Sequence, residues 1–367
     1  MPMPGDAPRI LLLGAGHANL LAVRPLRAGL PRARITLVDA GTHATYSGMV
    51  PGHLAGHYAA ADLRVDLADF AARHGLVFLR ARVEGMDPAT RSARLAPDPA
   101  GGDRSLHYDL AVLDLGSQAA MPEIAGFDRH AVPVKPLDGL LARLADLPPG
   151  APVAIIGGGV AGAEIALALT HRRAGMVTLI EAGPDLAASL RPRARAHLRR
   201  ALDRAGVRAI TQARIIRIEA RGVTLQDGTR IASALTIGSA GARAQGWWAR
   251  DLPVEGAGFL RVTPTLQVEG HPTLFAAGDC AAMLHAPRPK AGVFAVRQAP
   301  VLAQNLIAAH RGTALRRYDP QRHSLKIVSL GGRTALAEWR GLTLHGAWLW
   351  RWKDRIDRRF IAGLRGA

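Results

Sequence analysis

The feature that most constrains this chain is a repeat. A short apolar run enters a glycine-rich turn and leaves it as a helix, and this happens twice, with Gly157 standing 143 residues after Gly14. The first copy is RILLL (9–13) running into GAGHAN (14–19), and the second is VAII (153–156) running into GGGVAG (157–162). Each is followed by a second strand-like run that ends in an acid: RITLV (34–38) before Asp39, and MVTLI (176–180) before Glu181. In such a turn the first glycine permits the tight reversal, the second lets backbone approach a pyrophosphate, and the third lets the helix pack on the strand. The helix N-terminus adds positive potential, and the acid can accept both ribose hydroxyls. Gly157, Gly159 and Gly162 complete the pattern. Gly14 and Gly16 share it, but Asn19 holds the third position, so the first helix must pack more loosely or tolerate the amide. A carboxylate at Glu181, followed by Ala182 and Gly183 with no nearby base, would repel a 2′-phosphate and favours NADH over NADPH. The expectation is an α/β chain with two mononucleotide-binding folds in tandem.

Between the repeats, residues 76–117 read as short strands with a polar Pro/Gly turn at 97–103, suited to an antiparallel excursion. After Glu181 come a basic helix-like stretch (191–205) and a hairpin turn at Asp227-Gly228. Residues 325–367 read as a strand pair followed by a helix rich in Trp and Arg. A third element, TLFAAGD (273–279), is an apolar strand that delivers Gly278 and Asp279 at its carboxyl end. Alone it reads as a buried strand and turn. It resembles the second FAD motif of the pyridine nucleotide-disulfide oxidoreductase superfamily, as YDLAVLDLGS (108–117) and LTIGSAG (235–241) resemble that superfamily's crossovers between domains.

A narrower resemblance covers nearly the whole chain. YSGMVPG (46–52), VPVKP (132–136), KAGVFAVRQ (290–298) and WRWKDRID (350–357) look like the type II NADH dehydrogenase-like flavoproteins, and within them the branch found fused ahead of selenide, water dikinase; no dikinase is present here. The resemblance implies two tandem Rossmann-like domains of the glutathione reductase type with a small C-terminal α+β region. The layout is an FAD-binding domain in two parts (1–120 and 244–312), an NAD(P)H-binding domain (121–243) and a C-terminal region (313–367). It assigns Gly14, Gly16, Asn19, Asp39, Gly278, Asp279, Ala291 and Gly292 to FAD, and Gly157, Gly159, Gly162 and Glu181 to NADH. Glu164 matches the glutamate that meets the nicotinamide carboxamide, with stabilisation of a helix start as its plainer alternative. A helix beginning near Ala291 would turn free N–H groups toward the flavin pyrimidine. Lys290 and Arg297 would add charge there, or else simply face solvent.

The implied activity is hydride transfer from NADH to flavin, with electrons passed on to an acceptor that is not a thiol. Cys280 is the single cysteine, which excludes an intramolecular disulfide and a cysteine-built zinc or iron–sulfur site. No cysteine pair follows Asp39, where disulfide reductases carry one; His43, Tyr46 and Met49 stand there instead. His17, His43, His53 and His57 lack the spacing of a metal site, and no metal is expected. Where type II dehydrogenases carry Ala-Gln and a second Gln facing flavin and quinone, this chain has Gly292, Val293 and Arg297 and keeps Gln298, so a quinone acceptor is left open.

The formal charge of +18 raises an anionic partner. It comes from 47 Lys and Arg of which four are Lys, a bias that a skewed codon pool explains equally well. Aromatic residues make up 5% and no nucleic-acid motif is visible, so no specific nucleic-acid partner is expected. No run is apolar and long enough to span a bilayer and no leader pattern is seen, which gives the expectation of a cytoplasmic protein. In the C-terminal helix Trp348, Trp352, Ile356, Phe360 and Leu364 recur every four residues among Arg351, Lys353, Arg355, Arg358 and Arg359. This stripe suits a lid or a dimer contact, with a peripheral membrane contact as the alternative. The competing functional class is a flavin-bearing docking or redox-sensing protein at a membrane or polyanionic partner, linked by family association to selenium metabolism.

Overall fold

The structure is a computed structural model that describes residues 7–97, 104–119, 121, 123–172 and 175–366. The two apolar runs of the repeat become the strands Arg9–Leu13 and Val153–Ile156, each at the middle of a parallel sheet. Their uniform apolarity follows from burial on both faces: Leu12, Leu13 and Ile155 have no exposed surface.

In the first sheet the spatial order is Gln267–Val268, His271–Ala276, Leu110–Leu113, Arg9–Leu13, Arg34–Asp39 and Val77–Arg80. All pairs are parallel except the Gln267–Val268 hairpin at its edge. The second sheet runs Ala131–Pro133, Leu235–Gly238, Val153–Ile156, Val177–Ile180 and Arg208–Ile210, parallel throughout. Each glycine turn therefore lies at the carboxyl end of a central strand, where doubly wound sheets bind ligands.

The excursion between the repeats is antiparallel only in its middle, where Val83–Asp87, Ser92–Leu95 and Arg104–His107 form a three-stranded sheet. Its ends join the main parallel sheet instead: Leu110–Leu113 is buried throughout at the sheet's interior, and Val77–Arg80 forms the half-exposed edge beside Arg34–Asp39. Residues 98–103 of the expected turn lie outside the described residues. Asp227-Gly228 does connect an antiparallel pair, Gly222–Leu225 with Arg230–Ala232.

The long helix Gly292–Arg311 packs beside the first helix, His17–Gly29. The C-terminal region has three antiparallel strands rather than the expected pair: Lys326–Ser329, Ala335–Trp339 and Leu342–Gly346. The third is an edge strand with no buried residue, its Leu342 and Leu344 facing solvent. The helix Ala347–Arg365 closes the chain, and among the described residues no helix is long and apolar enough to cross a membrane.

Candidate active site

Both glycine turns are built the same way. Gly14 adopts φ +93° and Gly157 φ +102°, conformations that glycine takes without a Cβ penalty. Asp39 accepts the N–H groups of Ala15 and Gly41, each at 2.8 Å. Glu181 accepts those of Gly158 and Gly183, each at 2.7 Å. The acid that ends the second strand thus ties down the turn.

The third position differs between the copies. A Cβ on Gly162 would lie 2.0 Å from the Gly157 carbonyl oxygen, which fixes close helix–strand contact there. In the first copy the corresponding carbonyl, that of Gly14, accepts a hydrogen bond from Asn19 Nδ2 at 2.8 Å. Asn19 is fully buried, so the amide is tolerated by bonding the group it would otherwise strike. Around Gly159 the space is open, as a phosphate approach requires.

Two abutting cavities of about 770 and 300 Å³ run along the carboxyl edge of the first sheet and share Gly16, Thr45, Asp114 and Gly116. Asp39 lines the outer one; Gly278, Asp279 and Gly292 line the inner one with His17 and Lys135. Their size falls within the roughly 300–1,000 Å³ of cofactor sites. Asp279 accepts from Lys135 Nζ at 2.5 Å and from Ser117 Oγ at 3.3 Å, and Gln298 Oε1 takes the Gly278 N–H at 2.7 Å. The helix Gly292–Arg311 begins beside His17, capped by Ala291 with no side chain on its first N–H groups. A dinucleotide with a flavin fits these residues: an acid at the adenosine end, a glycine turn at the pyrophosphate, Asp279 for the ribityl chain and a free helix N-terminus beyond.

Glu164, Lys290 and Arg297 are not brought together. Lys290 donates to the Ala281 carbonyl at 2.7 Å, lies 3.9 Å over the Phe259 ring and lines a separate pocket behind Asp279. Arg297 is exposed on the long helix. Glu164 sits past the first turn of its helix, Val160–Arg172, and accepts the Ser329 N–H at 2.7 Å, so it is not a helix-start acid. Burial pushes its carboxyl up to about 7, with Lys353 pulling down and Asp357 adding to the rise.

A network missing from the sequence reading lies beside it. Lys353 bridges the Gly48 carbonyl and Asp357, Asp357 accepts from Tyr46 Oη at 3.1 Å, and Tyr46 stacks on Phe360 at 4.5 Å. His17 meets both rings edge-on, and burial lowers its pKa. The C-terminal helix is thus a lid over the cleft along one side only. The four-residue stripe splits: Phe360 and Leu364 turn inward while Trp348, Trp352 and Ile356 are 41–49% exposed. At 3.6 residues per turn a four-residue repeat drifts about 160° over sixteen residues, enough to carry it from solvent to core. Lys135, Lys353 and Asp357 stood inside the motifs that carried the resemblance. Asp114 had a plainer signal: like Asp279, it is an acid at the end of an apolar strand, with a glycine two residues on.

Residues 8–304 match the family described as pyridine nucleotide-disulphide oxidoreductase. The chain belongs to that family. It is 32% identical over 282 residues to the ferredoxin–NAD(+) reductase component of the biphenyl dioxygenase system of Paraburkholderia xenovorans, covering 74% of this chain and 67% of the relative. It is 27% identical over 368 residues to the demethylphylloquinone reductase NdbB of a Synechocystis strain, covering 94% and 90%. NDH2 from Plasmodium falciparum, solved in complex with NADH, superposes with a TM-score of 0.81 at 14% identity over 97% of this chain and 98% of that one. As a type II NADH dehydrogenase-like member, the chain is an FAD-dependent NAD(P)H oxidoreductase.

Proposed function

We propose that this chain is a peripheral membrane enzyme that passes electrons from NADH, through FAD, to a lipid-soluble quinone. One observation carries the acceptor. The strand Leu342–Gly346 and the helix after it leave Leu342, Leu344, Trp348, Trp352 and Ile356 exposed by 41–59%, with Arg351, Arg355 and Arg359 also in solvent. Five large apolar side chains on consecutive elements, with Arg beside them, suit the interface of an anionic bilayer. The other side of the same helix reaches the cleft through Phe360 and Tyr46, so an acceptor arriving through lipid is delivered next to the site. A relative whose name is demethylphylloquinone reductase, alike along nearly its whole length, supports the same reading.

Bound FAD would supply the electron chemistry, taking hydride from the nicotinamide and releasing electrons on its other face. The protein's part is orientation and electrostatics. The Gly157 turn and Glu181 hold NADH, and the Glu181 carboxylate disfavours a 2′-phosphate. In this reading Glu164, fixed by the Ser329 N–H, would orient the carboxamide, and the free N–H groups at Gly292 would stabilise negative charge on a reduced ring. Lys135 and Ser117 hold Asp279 in place for the ribityl hydroxyls.

The test is anaerobic mixing of the purified protein with NADH, followed by turnover with quinone in anionic vesicles or with a soluble ferredoxin. The expected result is loss of flavin absorbance, then turnover with vesicle quinone. Trp348→Ser/Trp352→Ser/Ile356→Ser should keep the first and lower the second by ~10-fold or more. Ferredoxin turnover with an inert vesicle quinone would refute the acceptor, and dimer loss in the triple variant would reassign the face to a second copy.

A further inference from the structure

We propose that Asp114 makes FAD retention proton-coupled, its carboxyl standing against the pyrophosphate position and taking up a proton when the cofactor is bound. The inference rests on the FAD reading above. Asp114 follows the strand Leu110–Leu113 and is 4% exposed. Its Oδ2 accepts the Asn19 N–H at 3.0 Å, and the neighbouring Ala18 N–H also favours its charged form. These are the second and third N–H groups of the helix His17–Gly29, donors without partners inside the helix. An acid from another strand therefore occupies the helix N-terminus that this fold normally turns toward phosphate.

The carboxyl has no room to leave. A Cβ on Gly16 would come within 2.2 Å of Asp114 Cγ, and one on Gly278 within 2.3 Å of Oδ1. Asp114 lines both cavities of the cleft. The titratable groups around it are Asp279 and the Cys280 thiol from the turn after His271–Ala276, His17 from the helix start, and Lys135 from the turn after Ala131–Pro133. Lys135 is committed to Asp279, and no cation pairs with Asp114 among the described residues. In the free protein burial holds the Asp114 carboxyl up at about 7, the two amides pull it down and Asp279 adds to the rise. A pyrophosphate carries two further negative charges into the same low-dielectric space, so the bound form holds its proton more tightly than the free form.

The sign follows by linkage. If the bound state has the higher pKa, binding takes up as much as one proton, and affinity falls by up to about tenfold per pH unit as pH rises above the free value. The second unit supplies an internal comparison. Ser239 N–H bonds Ile156 O as Asp114 N–H bonds Leu13 O, so Ser239 is its structural counterpart, and its hydroxyl has no partner among the described residues. The nicotinamide turn thus has a neutral group where the FAD turn has an acid, and NADH affinity should lack this dependence.

The experiment dilutes the holoprotein from pH 6 to 9 and reads released FAD by its fluorescence, with an indicator dye recording proton exchange in weak buffer. The expected result is a dissociation constant that rises by at least about tenfold from pH 7 to 9, proton release on FAD loss, and a flat profile in Asp114→Asn. A wild-type constant independent of pH overturns the proposal, as does Asp114→Asn with an unchanged slope, which would pass the titration to His17 or Asp279. If Asp114→Asn does not fold, the wild-type proton count decides alone, and zero overturns it. A protein holding no FAD at any pH overturns the cofactor reading and this inference with it.

Discussion

Asp39 and Glu181 each tie down a glycine turn, and the proposed function gives each a second purpose at a ribose, which sets what their substitution will do. Glu181→Arg removes the charge that repels a 2′-phosphate, and it also leaves the Gly158 and Gly183 N–H groups without their acceptor. The expected outcome is a change of ~10- to 100-fold in the NADH/NADPH ratio of kcat/KM toward NADPH, together with ~1–3 kcal/mol of lost stability. An unchanged ratio would remove Glu181 from the ribose site. Glu164 makes a separate prediction. Its folded carboxyl is raised from 4.5 to about 7, so the folded state binds the extra proton between those values. Stability contributed by the protonated form is complete below pH 4.5 and is lost as pH rises through 7, by up to about 1.4 kcal/mol per unit. In Glu164→Gln the Tm profile over this window should flatten, while a parallel profile would place the titration elsewhere.

At the scale of single elements, the strand–turn–helix units were legible because three constraints coincide on few residues: a buried strand, a positive φ and a close helix. The distinct jobs of the glycines separate experimentally. Gly159→Ala adds a Cβ into open space and should leave Tm unchanged while weakening NADH binding, since the methyl enters the phosphate approach. Gly162→Ala drives its Cβ into the Gly157 carbonyl and should lower Tm as well. Equal Tm loss in both would show that Gly159 is a packing residue. Asn19 was legible as a departure, but not its solution, because a hydrogen bond from Nδ2 to the preceding turn is a matter of rotamer and distance. The C-terminal helix was misread for a different reason: a four-residue repeat looks like one face over two turns and ceases to be one over five. Asp357 and Lys353 were passed over because an i,i+4 charge pair on a basic helix looks solvated, yet here Asp357 is 3% exposed.

For the whole molecule, the proposed membrane attachment would draw on both the +18 charge and the exposed apolar face. Binding to anionic vesicles should weaken between low and high salt by an order of magnitude or more, while NADH-driven flavin reduction changes little. Salt-insensitive binding would assign the attachment to Trp348, Trp352 and Ile356 alone. The two tandem mononucleotide-binding units followed from the repeat, but the tie between Glu164, Ser329 and Lys353 joins segments 165 to 189 residues apart and left no periodicity to read. The interleaving of the units also has a temporal side. The second sheet is complete once residue 238 exists, whereas the first waits for 271–276 to pair with Leu110–Leu113. On the ribosome, then, the nucleotide pocket whose turn is made second is the first that can close, and the N-terminal pocket stays open-edged until nearly forty further residues, through Ala276, emerge.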